Sequence, residues 1–196
     1  MTFVHASAQV EDGASLGDAC QVWANSQIRS GASVGGHCII GRNVFVDVDV
    51  RIGDNVKIQN NASLFQGVTV EDGAFIGPHV VFTNDRVPRS VNPDGSLKSK
   101  SDWSIGRTTV CRGAAIGAGA VIVTGVTIGT WAMVGSGSVV THDVGPHVLV
   151  VGNPARAIGF VSAAGLKCNS LDAARDLTLH EALTRTQANP VPELKS

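Results

Sequence analysis

The stretch IIGRNVFVDVDVRIGDNVKI, residues 39–58, carries a large aliphatic residue at every sixth position. The series runs from Val4 to Phe82 and resumes from Val110 to Val140. A small or β-branched residue follows nearly every one of them by four positions, and Arg86 is the exception in the first block. A period of six fits neither the 3.6-residue α-helix nor a plain alternating strand. The pattern therefore predicts short strands joined by tight corners.

The positions between these apolar pairs are rich in glycine, asparagine and aspartate. These residues tolerate the positive φ that a tight corner needs. Three six-residue units would close one triangular coil of eighteen residues, and each coil would contact only its neighbours. The sequence thus predicts an all-β protein, a parallel β-helix of hexapeptide repeats. We expect the β-helix domain to cover residues 1–160 and a C-terminal extension to cover 161–196.

The repeat is interrupted at about residues 83–109, where a polar stretch with two prolines loses the register. Long loops inside regular scaffolds are usually functional or disordered, so we expect a protruding loop here. A second change occurs at residues 170–187, where the apolar spacing predicts a short amphipathic helix. We expect this helix to cover the open end of the coil or a neighbouring subunit, since solenoid ends otherwise expose core.

Residues eighteen positions apart should lie one above another in such a coil. Asn25, Asn43, Asn61 and His79 form one column of this kind. The three asparagines are interpreted as a corner ladder with positive φ and side-chain hydrogen bonds. For His79 both a ladder position and a functional role remain open.

The composition excludes several classes of protein. The 196 residues carry a formal net charge of −1, which gives no broad electrostatic attraction to nucleic acid or to an anionic membrane. The sequence contains no apolar run long enough to span a bilayer, and its start lacks the order of a signal peptide. We expect a cytoplasmic protein without nucleic-acid or membrane partners. Cys20 and Cys38 fall on small inward positions, so we interpret them as reduced core residues.

Three stretches resemble a known family. They are KIQNNASLFQGV at residues 57–68, GPHVVFTNDRVPRS at 77–90 and WAMVGSGSVVTHDVGPHVLVVGNPAR at 131–156. They resemble the bacterial nucleotide-sugar N-acetyltransferases of the hexapeptide-repeat superfamily, above all those that acetylate the 3-amino group of a UDP- or dTDP-linked sugar. The resemblance covers about residues 4–160. It implies a left-handed β-helix, a homotrimer with active sites between adjacent subunits, acetyl-CoA as the acetyl donor, and a role in surface polysaccharide or glycoconjugate synthesis.

The resemblance also implies roles for single residues. Asn84 matches the family's active-site asparagine beside the reacting amine, and Asn60 and Gln66 match positions near the sugar nucleotide. His79 is a second catalytic candidate, as a general base, although the departing CoA sulfur is the alternative proton acceptor. The chain departs from close relatives at Phe65-Gln66 and at residues 24–27, where sugar contacts are expected, so the identity of the sugar stays open.

Charged and polar residues suggest where the sugar nucleotide binds. Asp85 lies in the polar first part of the loop. Arg86 and Arg89 suit a diphosphate because arginine forks match phosphate oxygens, but solvated loop charges are an equal alternative. Arg29 is a weaker candidate for the same role.

Four residues are candidates for holding acetyl-CoA. Asn153 and Arg156 belong to the VGNPAR motif, and the Arg156 guanidinium could meet a CoA phosphate or be solvated. Gly119 and Gly137 lie one coil apart and could let pantetheine approach the backbone, or could be plain turn residues.

Two other functions compete with N-acetylation. O-acetylation of a sugar or a small hydroxyl acceptor could use the same scaffold, but it should depend strongly on one histidine. Zinc chemistry would need a third ligand beside the His142 and His147 pair, and the spacing supplies none. We therefore expect no metal and interpret both histidines as solvated.

Overall fold

A computed structural model describes residues 1–99 and 101–176. Short parallel strands stack into three sheets, which form the three faces of a β-helix. Face I contains β1 (Phe3–Val4), β4 (Gln21–Val22), β7 (Ile39–Ile40), β10 (Lys57–Ile58), β13 (Phe75–Ile76), β16 (Ala115–Ile116), β19 (Met133–Val134) and β21 (Val148–Val151). Face II contains β2 (Gln9–Val10), β5 (Gln27–Ile28), β8 (Phe45–Val46), β11 (Ser63–Leu64), β14 (Val81–Phe82), β17 (Val121–Ile122) and β20 (Val139–Val140). Face III contains β3 (Ser15–Leu16), β6 (Ser33–Val34), β9 (Arg51–Ile52), β12 (Val68–Val70), β15 (Thr108–Val110) and β18 (Thr127–Ile128).

The strand register confirms the predicted coil. Val22 pairs with Ile40 and Ile40 pairs with Ile58, so successive partners on a face lie eighteen residues apart. This three-faced parallel solenoid is the predicted fold class, a β-helix of the left-handed, hexapeptide-repeat kind. We call the turns from face I to face II the I–II corner, and name the II–III and III–I corners in the same way.

The interior is one stacked apolar column. The second residue of almost every strand points inward, as at Ile28, Ile58 and Ile122, which are fully buried. The small positions predicted between them are buried as well, including Cys20 and Cys38. Val4 occupies an inward position of the repeat but is 42% exposed. The first coil has a neighbour on one side only, so its inward position stays open to solvent.

The interruption forms a flap, residues 83–107, that leaves the II–III corner between β14 and β15. Across it Val70 of β12 pairs with Val110, forty positions later instead of eighteen. An isolated antiparallel bridge joins Val91 to Leu97 inside the flap. The Asp102 carboxylate accepts hydrogen bonds from the Ser99 backbone N–H and hydroxyl, which lower the pKa of Asp102. The flap is thus held by its own polar contacts.

The C-terminal end is closed differently from the prediction. The chain turns back on β21 as two antiparallel strands, β22 (Arg156–Val161) and β23 (Lys167–Cys168), which the sequence pattern had not indicated. A one-and-a-half-turn helix, α1 (Leu171–Asp176), then packs on both strands. The remainder of the predicted helix, residues 177–187, lies outside the described residues. Within the described part of the chain, no helix has the length and apolar character to cross a membrane.

Candidate functional site

The I–II corner carries a continuous vertical line of candidate residues. Asn61, His79, Gly119 and Gly137 occupy equivalent positions in successive coils, all with φ between 58° and 70°. The Gly119 and Gly137 N–H groups donate to the carbonyls of the coil below at 2.8 Å. A Cβ built on either glycine would meet nothing within 4 Å. The corner therefore leaves open space beside its backbone, as a long, thin ligand would need.

The VGNPAR motif lies at the top of this line. The Gly152 N–H donates to Ser138 Oγ at 3.1 Å, and the Ala155 N–H donates to the Val139 carbonyl at 2.8 Å. These bonds fix Asn153 and Arg156 next to the corner of Gly137, with both side chains exposed. The structure thus brings the four residues predicted to hold acetyl-CoA onto one edge of the coil.

His79 continues the asparagine ladder. Asn61 Nδ2 lies 3.2 Å from His79 Nε2, and Asn43 Nδ2 donates to Asn61 Oδ1 at 3.0 Å. The His79 side chain is exposed at the corner surface. Asn60 lies one coil below, where its Oδ1 accepts a hydrogen bond from the Arg42 N–H at 2.9 Å. Asn60 also lines a cavity of about 630 Å³ on face I together with Trp23 and Lys57.

Asn84 lies at the base of the flap. Its backbone carbonyl accepts a hydrogen bond from the Gly106 N–H at 3.0 Å, so the two arms of the flap meet here. The Asn84 side chain is half-buried and makes no hydrogen bond with residues 1–99 or 101–176. It opens into a cavity of about 350 Å³ that Asp85 and Arg89 also line. The structure thus brings together three of the predicted loop residues.

Two residues of this cavity were not predicted as site residues. Lys98 and Trp103 line it together with Asn84, and both also line an adjoining cavity of about 360 Å³ that contains Arg86. Lys98 Nζ donates to the Val87 carbonyl at 3.4 Å, which holds it across the flap. No sequence period links these residues to Asn84, because the contact depends on how the flap folds back.

Gly106 packs tightly against the coil above it. A side chain at this position would collide with Thr124, whose hydroxyl is buried and has no hydrogen-bond partner among the described residues. The Thr124 N–H is held by Thr83 Oγ1 at 3.0 Å. The Arg86 guanidinium lies directly over Gly125. The flap base is therefore fixed by close packing as well as by hydrogen bonds.

Two predicted substrate residues are engaged in other contacts. Arg29 forms ion pairs with Asp47 at 2.9 Å and with Glu11 at 3.4 Å. Gln66 lies one coil below Asn84, but its N–H and its Nε2 donate to Asp47 and Asp49, each at 3.2 Å. The structure places Arg29 in a neutralised cluster away from the flap. Its role in substrate binding remains a prediction.

Glu11 completes the Arg29 cluster. The Ser30 backbone N–H and the Gln27 amide both donate to its carboxylate, and together with Arg29 they lower the pKa of Glu11. The Glu11 carboxylate therefore stays charged to a lower pH than an isolated glutamate does.

The two catalytic candidates do not meet within one chain. His79 lies on the I–II corner and Asn84 on the II–III corner, at opposite ends of β14. Five residue steps of up to ~3.4 Å each separate them. No cavity described above is lined by both.

The histidine pair shows one correction. His142 is exposed, but His147 is buried, and its Nδ1 lies 2.9 Å from the Val161 carbonyl. His147 was expected to be solvated, and that expectation is wrong because β22 folds over it. In the described ranges, no group of three or more His, Cys, Asp or Glu side chains is arranged to hold a metal ion.

Fold and repeats together define a hexapeptide-repeat β-helix protein. The family model described as bacterial transferase hexapeptide (six repeats) matches residues 49–84. The model described as hexapeptide repeat of succinyl-transferase matches residues 31–66 and 108–142. Over these residues the chain is thus similar to the repeats of bacterial hexapeptide transferases.

Curated relatives include two kinds of acetyltransferase. The chain is 52% identical over 69 residues to the dTDP-3-amino-3,6-dideoxy-alpha-D-galactopyranose 3-N-acetyltransferase of Aneurinibacillus thermoaerophilus, covering 35% of this chain and 36% of the relative. It is 33% identical over 119 residues to the serine acetyltransferase of Escherichia coli K12, covering 59% of this chain and 42% of the relative. The matched part spans about two fifths or less of either relative's length.

Solved structures with this fold include sugar N-acetyltransferases. A mutant of GDP-perosamine N-acetyl transferase from Caulobacter crescentus, in complex with CoA and GDP-perosamine, superposes with a TM-score of 0.52 at 26% identity, covering 80% of this chain and 55% of that chain. A hexapeptide-repeat acetyltransferase from Vibrio cholerae in complex with acetyl coenzyme A gives a TM-score of 0.50 at 28% identity, covering 66% and 70%.

Proposed function

We propose that this protein transfers the acetyl group of acetyl-CoA to the 3-amino group of a UDP- or dTDP-linked sugar. The observation that carries the proposal is Asn84, whose amide has no hydrogen-bond partner among the described residues and lines a cavity together with Arg89, Lys98 and Trp103. The cations suit a diphosphate and the tryptophan ring suits an aromatic base or a sugar face. The relative that acetylates a dTDP-3-amino sugar supports the same acceptor.

The reaction needs positioning more than covalent catalysis. The neutral amine attacks the thioester carbonyl, an amide bond forms, and the carbon–sulfur bond breaks to release CoA. Asn84 would hold the amine through its side-chain oxygen, and corner N–H groups would stabilise the oxyanion. The proton lost by the amine ends on the CoA sulfur, directly or by way of His79. The contact with Asn61 engages His79 Nε2.

The I–II corner is the proposed binding edge for acetyl-CoA. Gly119 and Gly137 leave the backbone open for the pantetheine arm. Asn153 and Arg156 lie at the upper end of the same edge, where a guanidinium suits the CoA phosphates. Both solved relatives described above contain CoA or acetyl-CoA, which supports this assignment.

The active unit is proposed to be a homotrimer with sites between subunits. His79 and Asn84 lie on different corners, so one site that uses both needs two chains. Faces I and II present outward apolar side chains that a partner could cover, such as Ile39, Phe75, Phe45 and Val121, whereas the outward residues of face III are serines, threonines and one arginine. Because acetyl-CoA and nucleotide sugars are cytoplasmic metabolites, we place the reaction there, in the synthesis of surface polysaccharide or glycoconjugate.

A thiol-release assay tests the reaction directly. Purified protein and acetyl-CoA are mixed with UDP- and dTDP-linked 3-amino sugars, their 4-amino and 3-hydroxy counterparts, and L-serine. Release only with a 3-amino sugar supports the proposal and identifies the nucleotide. We expect Asn84→Ala to lose at least about tenfold in kcat, and Asn169→Ala, at an exposed position near β23, to keep wild-type turnover.

O-acetylation is the second candidate, because serine acetyltransferases are among the relatives. Release of thiol only with 3-hydroxy sugars or serine would favour it and would overturn N-acetylation. In that case His79 should be essential, since a hydroxyl needs a base to become a nucleophile.

A further inference from the structure

A cavity of about 420 Å³ lies on the outer side of the II–III corner, below the flap. Among the residues that line it are Arg51, Arg107, Thr69 and Thr109. None of these four was predicted to bind a ligand, and the cavity is separate from the two that contain Asn84 or Arg86. The other lining residues are Asp49, Gln66, Gly67, Val68 and Ile105, and of these Gln66 was predicted to lie near the sugar nucleotide.

The strand register explains how these side chains converge. Arg51 of β9 pairs with Thr69 of β12, and Thr69 pairs with Thr109 of β15, so the three lie in one row across face III. Arg107 enters the row from the flap end, two residues before Thr109. Gly67 lies one coil below Arg107 and also lines the cavity. A Cβ on Gly67 would collide with the Gly106 carbonyl and with Ile105.

Arg51 and Arg107 form no ion pair with a described residue, although Arg51 also lines a second cavity together with Glu71 and Asp72. Asp49 is the one carboxylate that lines the cavity. It packs against Gly31 in the coil below, and its Oδ2 accepts the hydrogen bond from Gln66 Nε2. The cavity thus holds two positive charges against one carboxylate that is already engaged.

The flap adds a third cation above this pair. The register of β15 on β18 places Gly125 directly above Arg107, and the Arg86 guanidinium lies on Gly125. Arg107 and Arg86 therefore follow one another along the II–III corner, and Arg51 lies on face III two coils below Thr109. Arginine forks and hydroxyl donors are the groups that bind phosphate oxygens most favourably.

We propose that Arg51 and Arg107 form a phosphoanion site, in which the Thr69 and Thr109 hydroxyls donate the remaining hydrogen bonds. The geometry of the cavity suits a phosphate or diphosphate group. Two sources share this chemistry, the diphosphate of a nucleotide sugar and the phosphates of CoA. Only the identity of the source rests on the proposed function, because the site itself is argued from the residues of face III and of the flap that line the cavity.

Calorimetric titration of the full chain with inorganic pyrophosphate tests the site. We expect saturable binding in the wild type and at least about a tenfold loss of affinity in Arg51→Gln and in Arg107→Gln. Arg175→Gln, which removes an exposed charge on α1, should bind like the wild type. Thermal unfolding of each variant confirms that the exposed substitutions leave the fold intact. Equal affinity for pyrophosphate in all four proteins would overturn the proposal.

Competition identifies the source of the anion. Displacement of pyrophosphate by UDP or dTDP, with the same loss in both arginine variants, supports the nucleotide diphosphate. Displacement by CoA instead supports a cofactor phosphate. Turnover is not needed for either readout, so a negative thiol-release assay would reject the proposed reaction and leave this binding result standing.

Discussion

Asn61 Nδ2 lies 3.2 Å from His79 Nε2, and the two residues occupy the same corner position of successive coils with φ of 63° and 58°. His79 thus takes a place that asparagine fills at Asn25, Asn43 and Asn61. An imidazole differs from an amide chiefly in its ability to accept and release a proton near neutral pH. The one histidine of this ladder lies in the coil from which the flap departs, and directly below the open glycines of the corner.

His79→Asn separates the structural role of this position from a chemical one. Asparagine tolerates the same φ and can keep the ladder hydrogen bond, so the melting temperature should stay unchanged. If His79 relays the proton, kcat should fall by roughly 10² or more, and the acid limb of the pH–rate profile should disappear. His37→Asn, at another corner with φ of 59°, serves as the control. An unchanged profile would leave the CoA sulfur as the proton acceptor.

The coil could be predicted from the sequence because its determinants are local. Each large residue such as Ile40 and each small residue such as Cys38 repeats with a fixed period, and parallel stacking converts that period into a core. The corner positions of Gly119 and Gly137 could be predicted from the same period, because the two residues lie eighteen positions apart. The prediction failed where contacts are not periodic.

The errors have a common physical origin. Val4 is exposed because it lies in the terminal coil, and His147 is buried because antiparallel β22 returns over it. Lys98 and Trp103 line one cavity with Asn84 through the folding of the flap, and Arg51 and Arg107 line another although an insertion separates them in the chain. Loop closure of this kind depends on long-range packing, which leaves no spacing signal in the chain.

Mixing two inactive variants tests whether sites form between subunits. We expect coexpression of His79→Asn with Asn84→Ala to restore about a quarter of wild-type sites, because random assembly pairs an intact corner with an intact flap at that frequency. The measurement is thiol release by the mixed protein, compared with each variant alone. Sedimentation should show a single trimeric species. A mixture no more active than its components would mean that the two residues do not share an inter-subunit site.

The packing of Gly106 on Thr124 predicts a specific steric effect. Gly106→Ala should destabilise the flap by about 1 to 3 kcal/mol, since the new methyl group has no space against Thr124. Because the Gly106 N–H holds the Asn84 carbonyl, kcat should fall together with stability. Limited trypsin digestion at Arg86, Arg89 and Lys98 measures how far the flap opens.

A second substitution tests whether that steric effect is the cause. Thr124→Ala removes the hydroxyl and the γ-methyl group, so the double variant should regain part of the flap protection and part of the turnover. Thr124→Ala alone should be close to neutral, because the hydroxyl it deletes has no hydrogen-bond partner among the described residues. Additive losses in the double variant would show that the two residues do not interact.

Cys38 predicts how stability changes in alkali. Burial raises the pKa of the Cys38 thiol from about 9 to about 11. The folded protein therefore keeps the proton more tightly than the unfolded chain, so the stabilisation is complete below pH 9 and is lost as pH rises towards 11. Two pKa units correspond to a loss on the order of 2 kcal/mol. Cys38→Ala should lack this pH-dependent change in stability, because alanine does not ionise. The alanine should fit the site, since Ala32 and Ala62 fill the equivalent inward positions of other coils.

Urea unfolding at about pH 8 and about pH 11 measures the difference between wild type and variant. At the lower pH the variant should be slightly less stable, because it loses the contact of Cys38 Sγ with the Gly53 carbonyl at 3.1 Å. At the higher pH the order should reverse or the gap should close. Cys168→Ala, which removes a half-exposed thiol outside the coil, should follow the wild type at both values. A constant gap between wild type and Cys38→Ala would show that the buried thiol does not couple folding to pH in this range.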